Sequence, residues 1–184
     1  MKEIRIHARA GQGAITTANI LGEAYFIKGL YAYAFPHFGA ARMGAPMNAF
    51  VRVDENPVRI RSQIYEPDYV IIVDSTLMRG SNCLVGLSEK GIVVINEREG
   101  IQIPKPKLKQ KIYAVPANNI AQETIGRPLG NTALLGAYAA ATGELDLETI
   151  QEAVRRRFTG KIQEGNLEAV KRGFEFIKKI EEKE

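Results

Sequence analysis

Apolar and polar residues alternate over Glu3-Ile4-Arg5-Ile6-His7, which is the period of a strand with one covered face. The period then changes. Ile15, Ala18, Leu21, Ala24 and Tyr25 recur at helical spacing, so the pattern predicts a strand, a glycine turn and a helix running to about Lys28. Further on, residues 31–34 read as a short strand, 35–46 as a loop and 47–53 as a strand. The turn Asp54-Glu55-Asn56-Pro57 and the alternating segment 58–62 suggest that 47–53 forms a hairpin with a partner strand there. Tyr69-Val70-Ile71-Ile72-Val73-Asp74 is a solid apolar run, as in a central strand covered on both faces, and 92–96 is a second. A lysine- and proline-rich linker, 100–111, precedes a short strand at 112–115.

The last third reads as helices at 118–125, 131–142, 146–158 and 165–180, punctuated by Gly130 and Gly143. Leu147, Ile150, Val154 and Phe158 mark an inward face, and Glu181-Glu182-Lys183-Glu184 is a solvated tail. The expected fold is α/β, a three-layer α/β/α arrangement with a mixed, largely parallel sheet and a helical C-terminal third, in one domain over 1–184.

Composition narrows the function. The 184 residues are enough to bury a real core, and a net charge of +4 suits an anionic small molecule or acidic partner better than a nucleic acid. The longest apolar stretch, 133–141, is far too short to span a bilayer, and Met1-Lys2-Glu3-Ile4-Arg5 lacks the apolar core of a secretory signal, so a cytoplasmic protein is expected. A single cysteine, Cys83, excludes an intrachain disulfide and a self-contained iron–sulfur cluster. With only His7 and His37 as imidazoles, a structural zinc site is equally excluded, and Cys83 reads as a buried, idle thiol.

The junction between strand and helix carries the chemistry. In His7-Ala8-Arg9-Ala10-Gly11-Gln12-Gly13-Ala14-Ile15-Thr16-Thr17, glycines permit a tight turn and the helix start offers free N–H groups to an anion. The same pattern also serves simply to pack a strand against a helix. No lysine follows Gly13, which excludes the nucleotide-triphosphatase loop. Thr16 replaces the third glycine of the dinucleotide fingerprint, and no acid lies between Glu23 and Asp54 to hold a ribose, which argues against an NAD site. A second segment, Ala34-Phe35-Pro36-His37-Phe38-Gly39-Ala40-Ala41-Arg42-Met43-Gly44-Ala45-Pro46, is dense in rings for a surface loop and sets Arg42 midway as a fork of donors for phosphate or carboxylate.

These two segments resemble the gamma subunit of 2-oxoacid:ferredoxin oxidoreductases. The resemblance rests on Gly11-Gln12-Gly13 with Thr16, Phe35-Pro36-x-Phe38-Gly39 and Arg42-x-Gly44-Ala45-Pro46. It continues through Phe50-x-Arg52, Pro57-Val58-Arg59-Ile60, the strand ending in Asp74, and Gly130-Asn131-Thr132-Ala133-Leu134-Leu135-Gly136-Ala137. The Gly-Ala-Pro form of the second loop looks more like the pyruvate and 2-ketoisovalerate branch than the 2-oxoglutarate one. Ala8, Ala41 and Met43 stand where relatives often carry glycine, an acid and a polar or basic residue.

The resemblance implies one subunit of a larger enzyme. Such a complex would oxidatively decarboxylate a 2-oxoacid on thiamine diphosphate, pass electrons through iron–sulfur clusters to ferredoxin and transfer the acyl group to coenzyme A. Thiamine diphosphate, magnesium and the clusters would then sit in alpha, beta and delta partner subunits. This chain has neither cluster cysteines nor a Gly-Asp-Gly segment, which leaves Asn118-Asn119 as a helix cap. Its own part would be the coenzyme A site, built from Gly11, Gln12, Gly13, Ala14 and Thr16, with Arg42 as charge clamp and Asn131 as a polar contact. None of these is expected to act as a general acid or base. His7 reads as structural and His37 as a contact residue, Arg52, Arg59 and Arg61 as hairpin residues, and Arg155-Arg156-Arg157 as a solvated helix end or a docking patch. A binding module without coenzyme A contact, or a stand-alone nucleotide-dependent oxidoreductase, are the competing functional classes.

Overall fold

A computed structural model describes residues 1–38, 42–80 and 82–183. Strand β1 (Lys2–Arg9) leads into helix α1 (Ala14–Ile27), followed by β2 (Tyr31–Phe38), β3 (Pro46–Asp54) and β4 (Tyr69–Ile72). After a 3₁₀ turn at Ser75–Arg79 come β5 (Ile92–Asn96) and β6 (Lys111–Val115). Helices α2 (Ala117–Ile125), α3 (Asn131–Thr142), α4 (Leu147–Arg157) and α5 (Gly160–Glu181) close the chain.

The strands form one sheet in the order β2-β3-β1-β4-β5-β6. β3 pairs antiparallel with both β1 and β2, while β1, β4, β5 and β6 run parallel, so β3 alone points the other way. The alternation in β1 sorts its side chains. Ile4, Ile6 and Ala8 enter the main core with Val51, Val53, Ile71 and residues from all five α-helices. Arg5 and His7 face the opposite side, in register with Val70 and Ile72. That side is covered by Leu77, Cys83 and partly buried Met78, Leu84, Leu87 and Ile103, so the third layer is thin and made of the 3₁₀ turn and loops. The α/β class, the mixed sheet and the helical C-terminal third agree with the pattern of the sequence.

Two boundaries differ from the expectation. β2 extends through Phe38, taking in the start of the supposed loop, and Pro36 is accommodated because β2 is an edge strand. Segment 58–62 is not a strand, and the hairpin partner of β3 is β2. The reason is Arg52, which is buried against Glu3 at 2.6 Å and donates to the carbonyls of Ile60, Ser62 and Gln63. Those carbonyls are taken by a guanidinium rather than by a neighbouring strand. Arg61 lies over the Tyr33 ring at 3.7 Å and fastens the same segment.

His7 is 8% exposed and accepts a hydrogen bond from Arg5 Nε at 3.1 Å, so its Nε2 is unprotonated. Burial, and then the Arg5 charge, pull its pKa down to about 4. The unfolded chain therefore binds a proton that the folded chain refuses between pH 6.5 and about 4. Stability from this group is fully present above pH 6.5 and is lost as the pH falls through that window, by roughly 3 kcal/mol. Denaturant unfolding at pH 7 and pH 4.5 is expected to show this loss, and His7→Gln should flatten that part of the profile. Cys83 is fully buried with its thiol pushed up to about 11 by burial, in keeping with an idle residue.

Candidate functional site

β1 delivers the glycine turn to the C-terminal edge of the parallel strands, beside the ends of β4 and β5. Gly11 and Gly13 have φ of +96° and +79°, left-handed values that side-chain-bearing residues rarely adopt. Gly13 caps α1 and has no side chain to take the N–H groups of the first turn. Gln12 is tied down at both ends of its amide: Oε1 accepts from Arg9 N at 2.7 Å, and Nε2 donates to Asp74 Oδ2 at 2.7 Å. Burial works against the Asp74 carboxylate. Hydrogen bonds from Thr76 and Gln12 and the charge of Arg9 outweigh it and hold the pKa below the ordinary carboxylate value. The Gln12 side chain is thus a fastener, and what it leaves for a ligand is its backbone.

A second helix start meets the first. α3 begins after Gly130, again with no side-chain cap. Its first residue, Asn131, donates from Nδ2 to Gln12 O at 2.8 Å and to Thr17 Oγ1 at 2.9 Å. Thr17 in turn donates to Gly13 O at 3.0 Å. The expected cap role of Asn118 is replaced by a linking one, because Pro116 holds the cap position of α2. Asn118 Oδ1 accepts from Gly130 N, its own N–H goes to Asn96 Oδ1, and Asn96 Nδ2 donates to Val73 O. A relay of amides therefore fixes α2 and α3 to the strand ends.

Between the two helix starts opens a cleft of about 390 Å³. Its lining includes polar groups at Gly11, Gln12, Gly13, Thr16, Thr17 and Asn131. Ile20, Ile125, Leu129, Phe158 and Ile162 add apolar surface, while Arg127, Thr132 and Asn166 complete the lining. Helix N–H groups, a guanidinium and apolar side chains in one cleft suit a ligand that is anionic in one part and flat or apolar in another.

Five of the residues singled out in the sequence, Gly11, Gln12, Gly13, Thr16 and Asn131, line this cleft together. The Ala14 side chain is buried in the core, so only its backbone belongs to the turn. Arg42 is exposed and lies outside the cleft lining. Its segment borders the turn through Gly44 N, which donates to Ala10 O at 3.0 Å, and through Arg9 Nη1, which donates to Gly44 O. Gly39, Ala40 and Ala41 of the same motif lie outside the described residues. The arginine in the lining is Arg127, which sequence reasoning passed over. Its signal was its place four residues ahead of Asn131, in the approach to a helix start. Arg155 and Arg156 pair with Glu148, Glu152 and Glu23 at the surface.

The fold and site together are those of an α/β domain in which two helix starts meet at a glycine turn. The model of the pyruvate ferredoxin/flavodoxin oxidoreductase family matches residues 3–176, and the chain belongs to that family as a gamma-type subunit of a multisubunit 2-oxoacid:ferredoxin oxidoreductase. It is 48% identical over 178 residues to the pyruvate/ketoisovalerate oxidoreductases common subunit gamma of Pyrococcus abyssi, covering 95% of this chain and 96% of that one. The crystal structure of pyruvate oxidoreductase subunit PORC from Thermotoga maritima superposes with a TM-score of 0.81 at 37% identity, covering 95% of each chain. A 2-oxoglutarate:ferredoxin oxidoreductase from Magnetococcus marinus, solved with 2-oxoglutarate, coenzyme A and succinyl-CoA, shares the fold. There the TM-score is 0.78 at 20% identity, over 97% of this chain and 31% of that one.

Proposed function

We propose that this chain binds and positions coenzyme A within a cytoplasmic complex that oxidises pyruvate or a branched-chain 2-oxoacid to the acyl-CoA and reduces ferredoxin. The observation that carries the reading is the convergence of two uncapped helix starts, at Gly13 and Gly130, on one cleft with Arg127 in its wall. Coenzyme A is anionic through its phosphates and flat through its adenine, and the donor set fits it. The amides at Ala14 and Asn131 and the Thr16 hydroxyl face the phosphates, and the slot of Ile125, Leu129 and Phe158 takes the ring. Arg42, at the rim, adds charge from outside the cleft. The gain is one of position: the thiol is held where an acyl group on a partner subunit can reach it, with no proton transfer by this chain.

Thiamine diphosphate, magnesium and iron–sulfur clusters belong, in this reading, to alpha, beta and delta partners. The single cysteine, too few for a cluster's ligands, supports that division. The test is viologen reduction by the complex isolated through this chain, with pyruvate or 2-ketoisovalerate, with and without coenzyme A. Activity that requires coenzyme A is the expected result. Activity confined to 2-oxoglutarate or an aryl pyruvate would reassign the substrate, and an active complex indifferent to coenzyme A would overturn the role of the cleft.

A further inference from the structure

The face of the sheet opposite the helices holds a buried charge without an opposite number. Arg5 is 7% exposed, and Arg52 two strand positions away on the neighbouring strand is 2% exposed. Arg52 has Glu3. Arg5 has no carboxylate among the described residues. Its guanidinium donates to His7 Nε2 and to the carbonyls of Ile64, Tyr65, Cys83 and Val85. Carbonyls satisfy its N–H groups but leave a full positive charge under the surface, a costly state unless an anion is close.

Next to that charge lies a cleft of about 370 Å³, within the range of small-molecule sites. Strand register builds its floor: His7 on β1 stands opposite Asn48 on β3, which stands opposite His37 on β2. Gln63 and Asn82 add amides, and Phe50 and Leu77 supply apolar walls. Among the described residues no aspartate or glutamate lines it. The Gln63 amide is held by the His37 ring at 3.1 Å, and the amides of Asn48 and Asn82 complete a polar lining around a single fixed cation.

We propose that this cleft is a binding site for a small organic monocarboxylate, whose charge offsets Arg5 and whose short apolar tail lies against Phe50 and Leu77. It is independent of the glycine-turn cleft, which opens on the helical side of the sheet. The chain's only two histidines both line it, so imidazole NMR reports on it directly. Titrating the full chain with isobutyrate at pH 7 is expected to move the ring resonances of both His7 and His37 saturably, with sodium chloride at equal ionic strength inert. Thermal unfolding should rise in parallel, by roughly 5 °C at hundredfold excess over the dissociation constant.

Removing Arg5 risks the fold, since it staples four carbonyls. Asn48→Asp instead places a carboxylate in the row beside Arg5. It is expected to raise the Tm of the ligand-free chain and to abolish the isobutyrate response. Equal responses to chloride and isobutyrate, a stronger response to inorganic phosphate, or an Asn48→Asp chain that still binds isobutyrate would each overturn the proposal. So would a site that fills only when partner subunits are added, because a protein carboxylate would then be the occupant.

Discussion

Gly136→Ala is expected to lower the Tm of the full chain by roughly 6 °C or more. Helices α3 and α5 cross with backbone against backbone. A Cβ on Gly136 would lie 1.9 Å from Val170 O, and one on Gly173 would lie 2.0 Å from Ala133 O. Both obstacles are main chain, which cannot turn aside as a side chain can, so the helices must separate. Alanine gains up to about 1 kcal/mol of helix propensity over glycine, but overpacking of a core contact costs about 3 kcal/mol or more here. Every residue of α3 from Thr132 to Ala141 is buried, which leaves no free side toward which the helix can slide. Thermal unfolding followed by circular dichroism checks this, and a Tm within about 2 °C of the native chain would show that the crossing yields. Asn131 and Asn166, which line the cleft, ride on these same two helices, so a separated pair would also disturb the ligand site.

Arg127→Ala should raise the KM for coenzyme A by about ten- to a hundredfold in the assembled enzyme, with the KM for the 2-oxoacid unchanged. A charge-assisted hydrogen bond to phosphate contributes about 1.5–3 kcal/mol, and each 1.4 kcal/mol is tenfold. Arg127 lies in the cleft wall and forms no ion pair among the described residues, so its loss exposes no buried partner and the fold should stand. Arg42→Ala should have a smaller effect, as that side chain is outside the lining. Steady-state kinetics with coenzyme A and with its form lacking the ribose phosphate would also locate the contact. A variant whose loss is the same for both compounds places Arg127 on the diphosphate.

The site was legible in sequence wherever backbone geometry made the signal. Gly11 and Gly13 at a change of hydrophobic period, and Gly130 ahead of Asn131, mark the two helix starts that the structure brings together. What sequence hid was the partnering of polar side chains. The Gln12 amide looked available and is spent on Arg9 and Asp74. Arg5 and His7 occupy the polar phase of an alternating strand, which ordinarily faces water, yet loops from 64–65 and 83–85 cover them. Residues 58–62 alternate like a strand, and only the position of Arg52 beneath them explains why they form none. In the fold as a whole, the continuous apolar runs of β4 and β5 were plain, whereas the length of β2 was obscured by Pro36.

β1 has a bonded neighbour along each side, β3 on one and β4 on the other. The glycine turn is the direct extension of this strand. Any fluctuation that loosens the turn at its root must tear two ladders together, as in the unfolding of the whole sheet, while edge strands β2 and β6 can fray on one. The glycine turn thus hangs from an interior strand rather than an edge, and its backbone amides are held in a fixed direction.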